Sequence, residues 1–191
     1  LINYCATFAL GMIISLYLQY IQGFSPKNAG LFLGIIPLIQ SVLTPQVGRL
    51  SDRINSRNIA TAGMILTTVG LTLLCFIGFE TSIFYVGTGL AIIGLGLAFF
   101  VTPNTSAILK SVPSSSHGIA SATLTIGRQF GGMIGLAMVT IIFSLLMGQV
   151  EITPQYYPAF LKGIKIALGI SAVISFIGIF ASYARGNKQN N

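Results

Sequence analysis

The sequence predicts an all-α integral membrane protein of six transmembrane helices, and three observations carry that prediction. Charged residues make up 7% of the chain and hydrophobic ones 53%. A soluble domain carries about 25% charged residues and could not keep its surface solvated with a third of that number. Six apolar runs, about 1–21, 28–47, 59–78, 83–103, 118–147 and 160–184, are long enough for the roughly 20 helical residues that cross about 30 Å of hydrocarbon. A transmembrane β-barrel would instead show alternating segments of roughly ten residues.

Taken in order, the first run opens at Leu1 with no basic leader and no small-residue cleavage site. It reads as a segment of a longer chain rather than a secretory signal. Tyr4, Phe8, Gly11 and Ser15 fall near one of its faces, with Tyr17, Gln19 and Tyr20 toward its far end. Tyr4, Phe8 and Ser15 are candidates to line a cavity, although lipid-facing positions fit the same spacing. In QGFSPKNAG, Gly23 and Ser25-Pro26 break the helix and Asn28 is a candidate cap for the next. The second run holds Pro37 and Pro45, each removing a backbone donor, so this helix is expected to be bent or locally unwound.

The stretch GRLSDRINSR, residues 48–57, concentrates Arg49, Asp52, Arg53 and Arg57. A polar knot between two spanning runs must sit in water or at the headgroups, because charges in hydrocarbon cost several kcal/mol each. Gly48 would let a neighbouring helix approach, and Asp52, Arg53 and Arg57 could pair with one another or with phosphates. The third run follows, then the turn FETS, then a fourth run with Gly87, Gly89, Gly94 and Gly96 that is expected to end at Pro103-Asn104. Residues 104–117 read as a loop with one short helical turn, and His117 as a solvated loop residue. Tyr156 and Tyr157, before the sixth run, suit a membrane interface. Residues 185–191 form a polar tail.

The net charge of +7, from ten Lys and Arg against three Asp and Glu, does not indicate nucleic acid. The basic residues sit at helix ends and in short loops rather than in one interleaved patch. With 48–57 placed inside, that side collects Arg49, Arg53, Arg57, Lys110, Arg185 and Lys188. The other collects Lys27, Lys162 and Lys165 with Glu80 and Glu151. This bias puts both termini on the cytoplasmic face of a cell membrane. Cys5 and Cys75 lie within apolar runs and read as small hydrophobes, neither a disulfide framework nor a metal site. No phosphate-binding glycine loop, nucleophile–base pair or metal-ligand cluster appears, so neither an enzyme nor a cofactor is expected.

Arg128 is the sharpest single residue. It lies ten positions past Gly118, about 15 Å along a helix, where an arginine costs roughly 2.5–3.5 kcal/mol on insertion scales. That cost calls for a partner, a carbonyl cluster or a wet cavity, and Gln129 beside it could line the same cavity. Gly127, Gly131 and Gly135 repeat every four residues with Gly132 adjoining, a strip on which another backbone can approach closely. None of the three acidic residues falls within a run.

GRLSDRINSR resembles the loop motif between the second and third helices of each half in the major facilitator superfamily. The preceding YLQYIQGFSPKNAGLFLGIIPLIQSVLTPQVGRLSDR and the later GIASATLTIGRQFGGMIGLA resemble the C-terminal half of its fourteen-helix drug:proton antiporters. Asn55, Ser56 and Arg57 stand where that motif often carries Gly followed by two basic residues. The resemblance implies one six-helix half of a transporter, built from three-helix repeats of about 1–78 and 83–184. It further implies a missing N-terminal half as partner, a small organic substrate between the halves, coupling to protons, and a cytoplasmic gate at Gly48, Asp52, Arg53 and Arg57. A proton-coupled exporter of drugs or amphipathic compounds is the reading it favours. An importer or metabolite exporter, or a stand-alone six-helix scaffold or channel, are the alternatives.

Overall fold

A computed structural model describes residues 1–148 and 152–183, the Asp52 side chain excepted. Eight α-helices build six spans. The first span is α1 (Ile2–Thr7) with α2 (Leu10–Tyr20), and the second is α3 (Pro26–Leu33) with α4 (Ile35–Arg53). The remaining four are α5 (Ser56–Leu74), α6 (Ile83–Lys110), α7 (His117–Met147) and α8 (Tyr157–Tyr183). All six are long and apolar enough to cross a membrane.

Local chemistry sets the helix starts. Ser25, not Asn28, caps α3, its hydroxyl accepting from the Asn28 N–H with Pro26 in the first turn. Asn55 and Ser82 cap α5 and α6 in the same manner, each satisfying a backbone donor that the helix leaves orphaned. The second span breaks at Gly34, three residues before Pro37, where the proline ring excludes a regular carbonyl register. It then runs through Pro45 without interruption.

Two boundaries differ from the sequence reading. Gly48–Arg53 is the end of α4 rather than a loop, leaving only Ile54 and Asn55 as the turn into α5. Pro103 does not end the fourth span; α6 continues to Lys110. Past the proline, Thr105 Oγ1 donates to the Val101 carbonyl and supports the continued turn.

Glycines decide how closely the spans approach. Along α6 they form two pairs of seven-residue spacing on different faces. Gly89 and Gly96 meet α5, where a Cβ at Gly96 would lie 2.5 Å from Thr67 Oγ1. Gly94 abuts the Ile36 backbone of α4 at 3.3 Å and Gly87 the Phe32 ring. From the other side, Gly63 of α5 lies against the α6 backbone at Phe100. In lipid, where apolar surface gains nothing by self-association, such close van der Waals contact is the main driving term.

Packing is unequal along the spans. The fully buried apolar side chains, including Ile14, Leu18, Leu74, Leu90 and Leu168, cluster at the end away from residues 48–57. There Tyr17, also fully buried, donates to the Gly78 carbonyl at 2.7 Å, and Gln22 donates both to Tyr17 Oη and to the Thr81 carbonyl. Tyr17 is therefore a strut between spans one and three, not part of a cavity wall. Polar pairs take over from mid-span toward the opposite end: Thr68 with Ser175, then Thr61 with Ser182 and Ser51 with Ser56. The second and fifth spans are the least covered: among its described side chains α4 buries only Val47 and Ser51, and α7 exposes Ile126, Phe130 and Met133.

Candidate functional site: a half-buried cation between spans one, four and five

Arg128 sits eleven residues into α7 and is half-buried. One terminal nitrogen donates to Thr105 Oγ1 of α6 at 2.7 Å. Since the Thr105 hydroxyl gives its own proton to Val101, its oxygen presents a lone pair to the guanidinium. On the other side the guanidinium carbon lies 5.5 Å from the Tyr4 ring centroid of α1, within the range of a cation–π contact. The arginine is thus held among three spans by a hydroxyl and a ring, neither of which cancels its charge.

The glycine strip places α1 against this site. A Cβ at Gly131 would lie 2.7 Å from the Leu1 carbonyl oxygen and 3.2 Å from Tyr4 Cβ. At Gly132 it would enter the Phe8 ring at 2.6 Å, and at Gly135 it would overlap the Cys5 carbonyl. Gly127 departs from the strip read in the sequence: nothing lies within 4 Å of its Cβ position. Within this chain the close contacts run from Gly131, against Leu1 and Tyr4, to Gly135, against Cys5. Phe8 remains half exposed beyond the seam, and Gln129 is exposed. Ser15 is engaged locally, its hydroxyl and carbonyl both accepting from Gln19.

Of the gate residues, Gly48, Arg53 and Arg57 fall among the described side chains. Arg57 donates to the Tyr183 carbonyl and lies over the Tyr183 ring at 4.4 Å. Its guanidinium therefore ties the start of α5 to the last described turn of α8. Gly48 does not admit a close helix, since an added Cβ would meet only Thr102 Cγ2 at 3.9 Å. Arg53 is exposed, and the Asp52 side chain lies outside the described residues, as do Glu151, Arg185 and Lys188.

Asn3 is a polar residue the sequence reading passed over. It is buried, its Nδ2 donates to Met64 Sδ at 3.0 Å, and its Oδ1 has no partner. Beside it a cleft of about 240 Å³ reaches Asn104 and Phe100. The available signal was a lone carboxamide at the start of an apolar run. A second cavity, of about 390 Å³, opens between α2 and α7 near Met12, Thr140 and Phe143.

A bundle of six apolar spans with a half-buried cation held between three of them is the architecture of a polytopic membrane protein. The family model described as Major Facilitator Superfamily matches residues 1–190, and the chain belongs to that superfamily. It is similar to the riboflavin transporter RibZ of Clostridioides difficile, 27% identical over 176 residues, which are 92% of this chain and 39% of that protein. It is also similar to the multidrug resistance protein Stp of Mycobacterium tuberculosis, 29% identical over 70% of this chain and 25% of Stp. The methyl viologen resistance protein SmvA of Salmonella typhimurium is 28% identical over 85% of this chain and 32% of its own length. The chain thus spans two fifths or less of these relatives, and its all-α bundle fits one half of a major facilitator fold.

Proposed function

We propose that the chain is the C-terminal half of a secondary active transporter that exports drugs or other amphipathic organic compounds in exchange for protons. The observation that carries this reading is Arg128: a membrane-depth cation held by Thr105 and Tyr4, on spans that leave large apolar surface uncovered. An intramembrane charge marks a substrate or ion path, and the names of Stp and SmvA favour compounds toxic to the cell. RibZ favours a second reading, a transporter of one planar metabolite.

The three-span repeats of about 1–78 and 83–184 are supported by matching contacts. Span four packs on spans two and three, and span one packs on spans five and six. The missing half would cover α4 and α7, and alternating access would follow from rocking of one half on the other. The proton-carrying carboxylate would belong to that other half, because Asp52, Glu80 and Glu151 all lie outside the apolar membrane-crossing stretches. Reconstitution of the full-length chain tests the reading. Ethidium export should follow an imposed proton gradient and collapse with a protonophore; export indifferent to the gradient would reject proton exchange.

A further inference from the structure

We propose that spans one and five carry a two-part track for an anionic amphiphile, with its charged head at Arg128 and its apolar body in the groove between α2 and α7. The inference rests on the transporter reading and narrows its substrate class.

The track follows from register. Tyr4, Phe8, Met12 and Leu16 recur every four residues and so share one stripe of the first span. Opposite them on α7 stand Arg128, Gly132 and then Thr140, Phe143 and Ser144. Contacts fix this pairing at three levels. Arg128 faces the Tyr4 ring, Gly132 faces the Phe8 ring, and Met12 and Leu16 line one groove with Thr140 and Phe143. The track therefore runs from a cation through a half-exposed phenyl ring into an apolar groove. Arg128 and Thr140 are twelve residues apart, or about 18 Å along the helix.

The chemistry at the two ends selects the ligand. Among the described residues no titratable side chain lines the groove, whose volume of about 390 Å³ falls within the range of small-molecule sites. Met12 and Met147 at its walls are unbranched thioethers that adapt to varied apolar shapes. At the other end the guanidinium has five N–H donors, of which the structure engages one group with Thr105. Both neighbours of the guanidinium are neutral, and Glu80, the acidic residue with a described side chain, is exposed at the far end of the bundle. In a low-dielectric site an unmatched cation attracts an anionic head and repels a cationic one far more strongly than in water.

The full-length transporter, reconstituted in phosphatidylcholine vesicles, provides the test with three probes: dodecanesulfonate, butanesulfonate and ethidium. Arg128→Gln should raise the dodecanesulfonate-to-ethidium KM ratio at least tenfold, and Arg128→Lys should restore part of it. Thr140→Phe, which fills the groove, should raise the KM for dodecanesulfonate several-fold more than that for butanesulfonate. Four results would overturn the inference. An unchanged ratio in Arg128→Gln would make the arginine structural, and equal effects of Thr140→Phe on both chain lengths would remove the groove. Dodecanesulfonate bound, not exported, and displaced by phosphatidylglycerol would identify a resident-lipid site. Ethidium exported with no sulfonate exported would sink the anion track while leaving the transporter reading intact. Export of neither probe class would instead reject the drug-exporter reading on which the inference rests.

Discussion

Two glycines eight residues apart illustrate how differently one residue type is used on one helix. Gly135 has the Cys5 carbonyl where a side chain would go, whereas Gly127 has open space. Gly135→Leu should separate α1 from α7 and cost about 1–3 kcal/mol, the usual range for overpacking. Gly127→Ala should be neutral or stabilise by up to about 1 kcal/mol, because alanine is the better helix former. Thermal unfolding of the purified full-length variants followed by size-exclusion chromatography checks both. Losses of equal size would mean that a backbone outside this bundle lies against Gly127. The strip's existence was legible in the four-residue spacing. Which of its glycines are in contact was not, because that depends on Leu1, Tyr4, Cys5 and Phe8 of a different span. Arg128 was legible for the same kind of reason, as the one charge deep in an apolar run, while its partners Thr105 and Tyr4 are ordinary residues in distant spans and carry no local signal.

The helices themselves were legible as hydrocarbon-crossing stretches rather than as hydrogen-bonded elements, and the errors fall where the two differ. Hydropathy drops at Gly48 and again after Pro103, yet α4 and α6 continue into those polar segments. A helix end outside hydrocarbon is decided by capping and carbonyl satisfaction, not by transfer energy. The seam between α5 and α8 was invisible for another reason: Thr61, Thr68, Ser175 and Ser182 are weakly polar residues compatible with lipid. Their pairing at 2.9–3.0 Å appears only when the spans are placed side by side. Hydrogen bonds between membrane helices contribute little individually, averaging about 0.6 kcal/mol. A double-mutant cycle of Thr68→Val and Ser175→Ala, read by denaturant unfolding in detergent, should give a coupling of about that size. A coupling near zero would assign the seam to packing alone, with Gly178 against Met64 as its main contact.

At the scale of the molecule, the buried apolar core and the described arginines of the 48–57 stretch lie toward opposite ends. The buried aliphatic core gathers toward the Tyr17–Gly78 strut, while Arg49, Arg53, Arg57 and Lys110 gather at the other end. Basic residues are retained on the cytoplasmic side of a membrane because short loops rich in Lys and Arg resist translocation. The end bearing Arg57 should therefore face the cytoplasm and the Glu80 turn the exterior. Two exposed positions suit labelling, Asn58 at the first end and Glu80 at the second. Ser51 and Ser56 do not, being engaged with each other at 3.0 Å. With Cys5 and Cys75 replaced by alanine in the full-length chain, Asn58→Cys should react with a membrane-impermeant maleimide only after cells are permeabilised. Glu80→Cys should react in intact cells. The reverse pattern would turn the bundle over and move Arg128 into the outer part of the membrane. It would also place the apolar groove on the cytoplasmic side, so that an amphiphile would meet the groove before the cation on its way out.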